Sequence, residues 1–339
     1  MMIRSKILGV GSYLPEKIWT NDDLAQMMDT SDEWITQRTG IKQRHWVDVD
    51  SHTTTSDLAL EAVTKALTSS KVDKNEIECI VFATLTGDHF FPGSGCFLQE
   101  KLGVPGIPAI DIRQQCTGFI YAVAIADQFI RTGMYNKILV VGAEVHSKGL
   151  KRSPEGRDVG VLFGDGAGAV VLGKTEVTDP DKDSYILSSH LHADGRFAKE
   201  LWVSAPGMYH KGDQISHELL DQNLQYPYMN GKAVFINAVK KMPEVTLEAL
   251  NFNNKKPDDV DLYLFHQANL RINEAAAQQL NIPHEKVFNT IQKFGNTTAA
   301  TIPLGMDEAV KLGKLKPGML VACAAFGSGF TWGSTLLRW

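Results

Sequence analysis

Four short apolar runs, each rich in β-branched residues, punctuate the chain: IECIVFATLT (77–86), KILVVGAEVHS (137–147), VDLYLFHQAN (260–269) and GMLVACAAFGSG (318–329). Their apolarity is nearly continuous rather than alternating, which is the pattern of strands covered on both faces. A helical pattern, YAVAIADQFIRTG, separates the first two runs, and another, DEAVKLGKL, separates the last two. The repetition predicts a duplicated α/β unit whose sheets are covered by helices. The polar, turn-forming stretch GKTEVTDPDKD, Gly173 to Asp183, marks the boundary, giving an N-terminal half over 1–175 and a C-terminal half over 176–339. Within the second half, 193–230 is rich in Gly, His, Pro and Tyr and has no period. That is long for a structureless loop, so the segment reads as an insertion that caps a site or faces a partner.

Composition narrows the function classes. With 339 residues, 43% hydrophobic and 22% charged, the chain is long enough for one large or two medium cores. A net charge of −5 and the absence of a basic run argue against nucleic acid as a partner. The four cysteines show no C-x-x-C spacing, which argues against a disulfide framework and against a metal site, and fits a reducing compartment. The N-terminal MMIRSKILGVGSYLPEK lacks the apolar core of a signal peptide, and no stretch reaches the roughly 20 apolar residues of a membrane span. The expectation is a cytoplasmic protein without a membrane segment.

Candidate chemistry centres on Cys116. It stands where the extended AIDIRQQ gives way to the helical GFIYAVAIADQ, a location predicted to expose the thiol to a helix N-terminus and lower its pKa. Cys79, Cys96 and Cys323 read as packing residues. Two later segments, LFHQANLR and KFGNTTAA, supply His266 and Asn296, partners suited to carbonyl chemistry. By itself Asn296, beside Gly295, reads as a turn former. Gly164, Gly166 and Gly168 of FGDGAGAVVLG miss the G-x-G-x-x-G spacing and precede a strand-like run, so they read as close-packing positions rather than a dinucleotide site.

Six motifs in order, RTGIKQRH, QQCTGF, FGDGAGAVVL, FHQANLRI, FGNTTAATIPLGMDEA and AFGSGFTWGS, span nearly the whole length. Together they resemble the β-ketoacyl-acyl carrier protein synthase III family of the thiolase superfamily. The resemblance implies a five-layered αβαβα fold made of two duplicated halves, and a homodimer. It implies an acyltransferase that needs no cofactor beyond its coenzyme A thioester substrates: acyl-CoA loads the cysteine, and a malonyl thioester on acyl carrier protein then condenses with loss of carbon dioxide. Cys116, His266 and Asn296 are the implied catalytic residues, with an oxyanion hole from the backbone N–H groups of Cys116 and Ser328. Trp34, Arg38, Arg157, Gly231, Phe235, Asn269 and Arg271 are the implied coenzyme A contacts, and Phe91 is expected to shape the acyl pocket. Decarboxylation itself creates the carbon nucleophile, so neutral donors suffice and no strong base is required.

Departures from the family pattern bear on partners. Ser328 stands where glycine is frequent, Ile236 replaces a basic residue after Phe235, and Glu274, Gln278 and Gln279 occupy a helix where lysines are common. Docking of an acidic carrier protein is therefore expected to be weakened, with Lys232, Lys240 and Lys241 as substitutes, and a secondary-metabolite role stays open. Three rivals differ in testable ways. A head-to-head condensing enzyme of this fold carries Glu where Phe91 stands in DHFFPGSG; a papain-like hydrolase needs a local cysteine signature that is absent; an inactive partner subunit is expected to have lost its cysteine.

Overall fold

A computed structural model describes residues 2–339. The first half builds a five-stranded sheet from β1 (Met2–Tyr13), β2 (Cys79–Ala83), β3 (Ala109–Ile112), β4 (Lys137–Glu144) and β5 (Gly166–Val177), in the order β1-β5-β4-β2-β3. The second half builds a four-stranded sheet from β6 (Tyr185–Ala193), β7 (Leu262–Phe265), β8 (Leu320–Gly327) and β9 (Thr331–Arg338), ordered β7-β8-β9-β6. Strand β2 is parallel to β4, and β5 is antiparallel to both β4 and β1. The same senses recur in β7, β8, β9 and β6. The last strand of the first sheet ends at Val177 and the next begins at Tyr185, with the polar turn between them.

The continuous apolarity of the central strands follows from their two-sided burial. Neighbouring residues point to opposite faces, so Val140 joins the core between the sheets while Val141 joins the core outside the first sheet. That outer core is closed by α2 (Thr55–Ser70) and α3 (Ser94–Leu102) through Leu58, Val63 and Leu98. Between the sheets lie α4 (Gly118–Arg131) and α7 (Thr301–Lys311), whose Phe119, Val123, Ile302 and Met306 meet Val81 and Val140 on one side and Leu264 and Val321 on the other. Outside the second sheet, α5 (Gly231–Phe252) and α6 (Leu270–Leu280) bury Met242, Val245 and Ile272 against Tyr263 and Phe265. The layers are therefore helix, sheet, helix, sheet, helix.

The aperiodic stretch after β6 is not structureless. A 3₁₀ turn over Gly195–Glu200 leads into Leu201–Trp202, which pairs antiparallel with Tyr228–Met229, and a short helix covers His217–Asp221. The pairing closes the base of the excursion and delivers the chain to α5. Among the described residues no helix is long and apolar enough to cross a membrane, and no group of three His, Cys, Asp or Glu side chains could hold a metal ion.

Candidate active site

The candidate nucleophile, Cys116, sits on a turn strained at its entrance. Gln115 has φ of 45°, and a single 3₁₀ turn over Gln115–Thr117 joins it to α4. Thr117 ties this turn to the other half, its hydroxyl 2.8 Å from both the Gln114 carbonyl and the Thr331 hydroxyl. The apolar α4 buries the turn between the sheets, and Cys116 is left 8% exposed. Gly327 at the end of β8 packs directly on it: a Cβ there would lie 2.5 Å from the cysteine Cβ and 3.0 Å from its sulfur. Only glycine permits that approach.

The expected lowering of the thiol pKa is overturned. Burial, reinforced by the nearby Glu144 carboxyl, pushes Cys116 up to about 12, although the backbone N–H groups of Ser328 and Cys116 act in the opposite direction. Helix-terminal dipoles are screened and short-ranged, whereas desolvation acts on the whole charge. Glu144 went unnoticed in the sequence. It is buried at the end of β4, where it accepts from the Thr84 hydroxyl and the Leu85 and Thr86 backbone N–H groups, and burial raises its own pKa to about 7. Its lone charge within an apolar strand end was the available signal.

His266 and Asn296 converge on the same space from different elements. His266 follows β7, its backbone N–H donating to the Ala324 carbonyl at 2.8 Å, and its Nδ1 is 2.7 Å from the Thr301 hydroxyl. Nε2 is buried without a partner among the described residues, and burial holds the imidazole near pKa 3, so the ring is neutral. Asn296 lies on a connection pinned to the Leu162 carbonyl at 2.9 Å, and its Oδ1 accepts the Thr298 N–H at 2.9 Å, which leaves the amide NH₂ as its free end. Gly164 makes this possible, because a Cβ there would meet the Phe294 carbonyl at 2.3 Å.

Cys116, His266 and Asn296 all line one cavity of about 430 Å³, together with Trp34, Arg38, Gly231, Phe235, Asn269 and Arg271. At its mouth α1 (Asp32–Thr39), capped by the Ser31 hydroxyl and ended by Gly40 at φ of 79°, presents Trp34 with the Arg38 guanidinium 4.4 Å from its ring centre. Arg157 does not line the cavity but lies 5.2 Å from the same indole, held by the Asp29 carbonyl and carboxylate at 2.8 and 3.0 Å. Arg271 stacks 5.3 Å from Phe235. Asn269 caps α6 through the Arg271 N–H and donates to the Arg38 carbonyl at 2.9 Å, so much of its capacity joins α6 to α1. Ser328 supplies its N–H to Cys116 while its hydroxyl bonds the Leu201 carbonyl.

Phe91 is not among the residues that line the cavity of its own chain; it is 80% exposed beside Phe90. Asp88, in the same loop, accepts from the Ser56 N–H at 3.0 Å and the Ser94 hydroxyl at 2.9 Å, and is thus committed to holding the loop. Lys241 pairs with Glu244 at 2.9 Å and lies over Trp332, and Gln279 donates to the Val239 carbonyl, whereas Lys232 lines the cavity mouth.

Comparison with known proteins agrees with this geometry. Residues 110–195 match the family described as 3-oxoacyl-[acyl-carrier-protein] synthase III, and residues 250–339 match its C-terminal counterpart. The chain is 45% identical over 338 residues to a β-ketoacyl-[acyl-carrier-protein] synthase III of Caldanaerobacter subterraneus, covering 99% of this chain and 98% of that one. It is 46% identical to the protein of the same name from Xanthomonas campestris, covering 99% of each. The crystal structure of 3-oxoacyl-[acyl-carrier-protein] synthase III from Aquifex aeolicus superposes with a TM-score of 0.88 at 42% identity, over 99% of this chain and all of the other. With that fold, that cavity and full-length likeness, this chain belongs to the β-ketoacyl-acyl carrier protein synthase III family, acyltransferase-type condensing enzymes of thiolase-like α/β fold.

Proposed function

We propose that this enzyme loads an acyl group from acyl-coenzyme A onto Cys116 and condenses it with a malonyl thioester carried by acyl carrier protein. The observation that carries the reading is the convergence of a buried thiol, an unpartnered imidazole Nε2 and an oriented amide NH₂ in one cavity whose mouth holds an indole and arginines. In the first half-reaction the cysteine sulfur attacks the thioester carbonyl, and the Cys116 and Ser328 N–H groups receive the oxyanion. Collapse expels the coenzyme A sulfur, on which the thiol proton ends. In the second, His266 and Asn296 donate to the malonyl thioester oxygen, carbon dioxide departs, and the enolate carbon attacks the acyl carbonyl and expels the Cys116 sulfur as a thiolate, which takes up a proton from solvent.

A head-to-head condensation lacks its loop carboxylate, since Phe91 stands at that position, Asp88 is bound to Ser56 and Ser94, and Glu144 is engaged by Thr84, Leu85 and Thr86. Trp34, Arg38, Arg157 and Arg271 receive the nucleotide end of coenzyme A, with Gly231 leaving room at the start of α5 and Asn269 offering its remaining donor to the pantetheine amide. Phe91 is 80% exposed and does not line its own chain's cavity, so its part in an acyl pocket depends on a second copy of the chain in a homodimer. Incubation with labelled acyl-coenzyme A, followed by mass spectrometry, tests the reading. Cys116→Ala should carry no acyl group, while His266→Ala and Asn296→Ala should acylate yet decarboxylate malonyl thioester about 10² to 10³ more slowly, the loss expected for one oxyanion donor. Label on Cys116→Ala, or product formed without a malonyl donor, would overturn it.

A further inference from the structure

The donor role of His266 requires a proton on Nε2, and a neutral imidazole carries only one. Which nitrogen holds it is decided at the other one, where the sole partner of Nδ1 among the described residues is the Thr301 hydroxyl at 2.7 Å. That hydroxyl also lies 3.0 Å from the Thr298 carbonyl, and its single hydrogen serves only one of the two. If it went to the carbonyl, Nδ1 would have to donate and Nε2 would face the cavity as a bare lone pair. The carbonyl, however, already receives the backbone N–H of Thr301 itself, at the end of the 3₁₀ turn over Thr298–Ala300. A satisfied carbonyl gains little from a second donor, whereas a buried Nδ1 without a proton has no other source of one.

We infer that Thr301 is a positioning residue that donates to Nδ1 of His266, fixes the tautomer with hydrogen on Nε2, and so makes the imidazole a hydrogen-bond donor to the extender thioester. This rests on the condensing reaction proposed above. The same turn orients the second donor, since the Thr298 N–H holds Oδ1 of Asn296. Thr298 is itself held at φ of 49° with its hydroxyl 2.6 Å from Nε2 of the buried His146. One short segment at the start of α7 thus sets the polarity of both groups aimed at the substrate.

The test compares wild type, Thr301→Ser and Thr301→Val in three measurements. In the wild-type protein labelled with ¹⁵N-histidine, the His266 resonances should report a protonated Nε2 and an unprotonated Nδ1; the reverse pattern overturns the inference without any variant. Thr301→Ser keeps the hydroxyl and should decarboxylate malonyl thioester within a few-fold of wild type. Thr301→Val should lose about 10²-fold in that step, mostly in kcat, while Cys116 is still acylated by acyl-coenzyme A at a rate within a few-fold of wild type. Wild-type decarboxylation in the valine variant, or equal losses with serine and valine, overturns it. Failure of the wild-type enzyme to acylate Cys116 at all would instead sink the condensing reaction, so the two failures are distinguishable.

Discussion

In the free enzyme Cys116 is a protonated thiol, because burial pushes its pKa up to about 12 despite two backbone N–H groups aimed at it. A thiol in that state is alkylated only through a thiolate fraction that grows with hydroxide. Iodoacetamide should therefore modify exposed Cys96 first, and the rate at Cys116 should climb roughly tenfold per pH unit between about pH 7 and 9. Peptide mapping by mass spectrometry after timed quenches measures both rates, and a Cys116 rate that levels off near neutrality would reveal a stored thiolate instead. The same desolvation leaves His266 neutral, so one cause disfavours the anion on Cys116 and the cation on His266. The local motif QQCTGF announces neither effect, since both depend on the layers that close around it.

At the scale of elements, α5 carries the feature that separates this chain from a strongly basic docking face. Ile236 is 53% exposed one residue after Phe235, and Lys241, a sequence-level substitute, is already paired with Glu244. Lys232, which lines the cavity, and the exposed Lys240 are left. Under the proposed function, added positive charge on this helix would steer an acidic carrier protein and confer salt sensitivity. Ile236→Lys should therefore tighten acyl carrier protein binding by several-fold at low salt, with the gain shrinking as salt is raised across the Debye-screening range. Titration calorimetry at two ionic strengths decides it; an unchanged affinity would show that carrier docking does not use this face.

Across the whole molecule, buried titrating groups pull stability in opposite directions. His146 and His266 drop from 6.5 to about 3 on burial, so only the unfolded chain takes up their protons as pH falls below 6.5, and the stability they contribute is lost towards pH 3. Glu144 and Asp165, raised to about 7 and about 6, hold protons in the fold and lose stability as pH rises through those values. The two trends oppose each other near pH 5 to 6, and acid unfolding steepens below that window. Replacing His146 by Gln removes one of the two histidines and should reduce the acid-side slope by about 1.4 kcal/mol per pH unit. Denaturant titrations across pH 4 to 7 measure the slope; an unchanged value would mean that His146 titrates alike in both states.

The periodicity of the sequence determined the strands, the central helices and their repetition, because an apolar run buried on both faces is a local property of the chain. Its motifs carried the family, and with it Cys116, His266 and Asn296. Only tertiary structure decided the polarity and protonation of those groups. Thr301 sits 35 residues from His266 yet its hydroxyl is 2.7 Å from the imidazole Nδ1. Burial raises the Cys116 pKa, and Glu144 adds to it from a strand that lies beside the cysteine only in the folded sheet. Phe91, legible as a substitution, proved to be exposed and outside its own chain's cavity. Desolvation and hydrogen-bond direction arise from contacts between distant segments, and no window of sequence contains them.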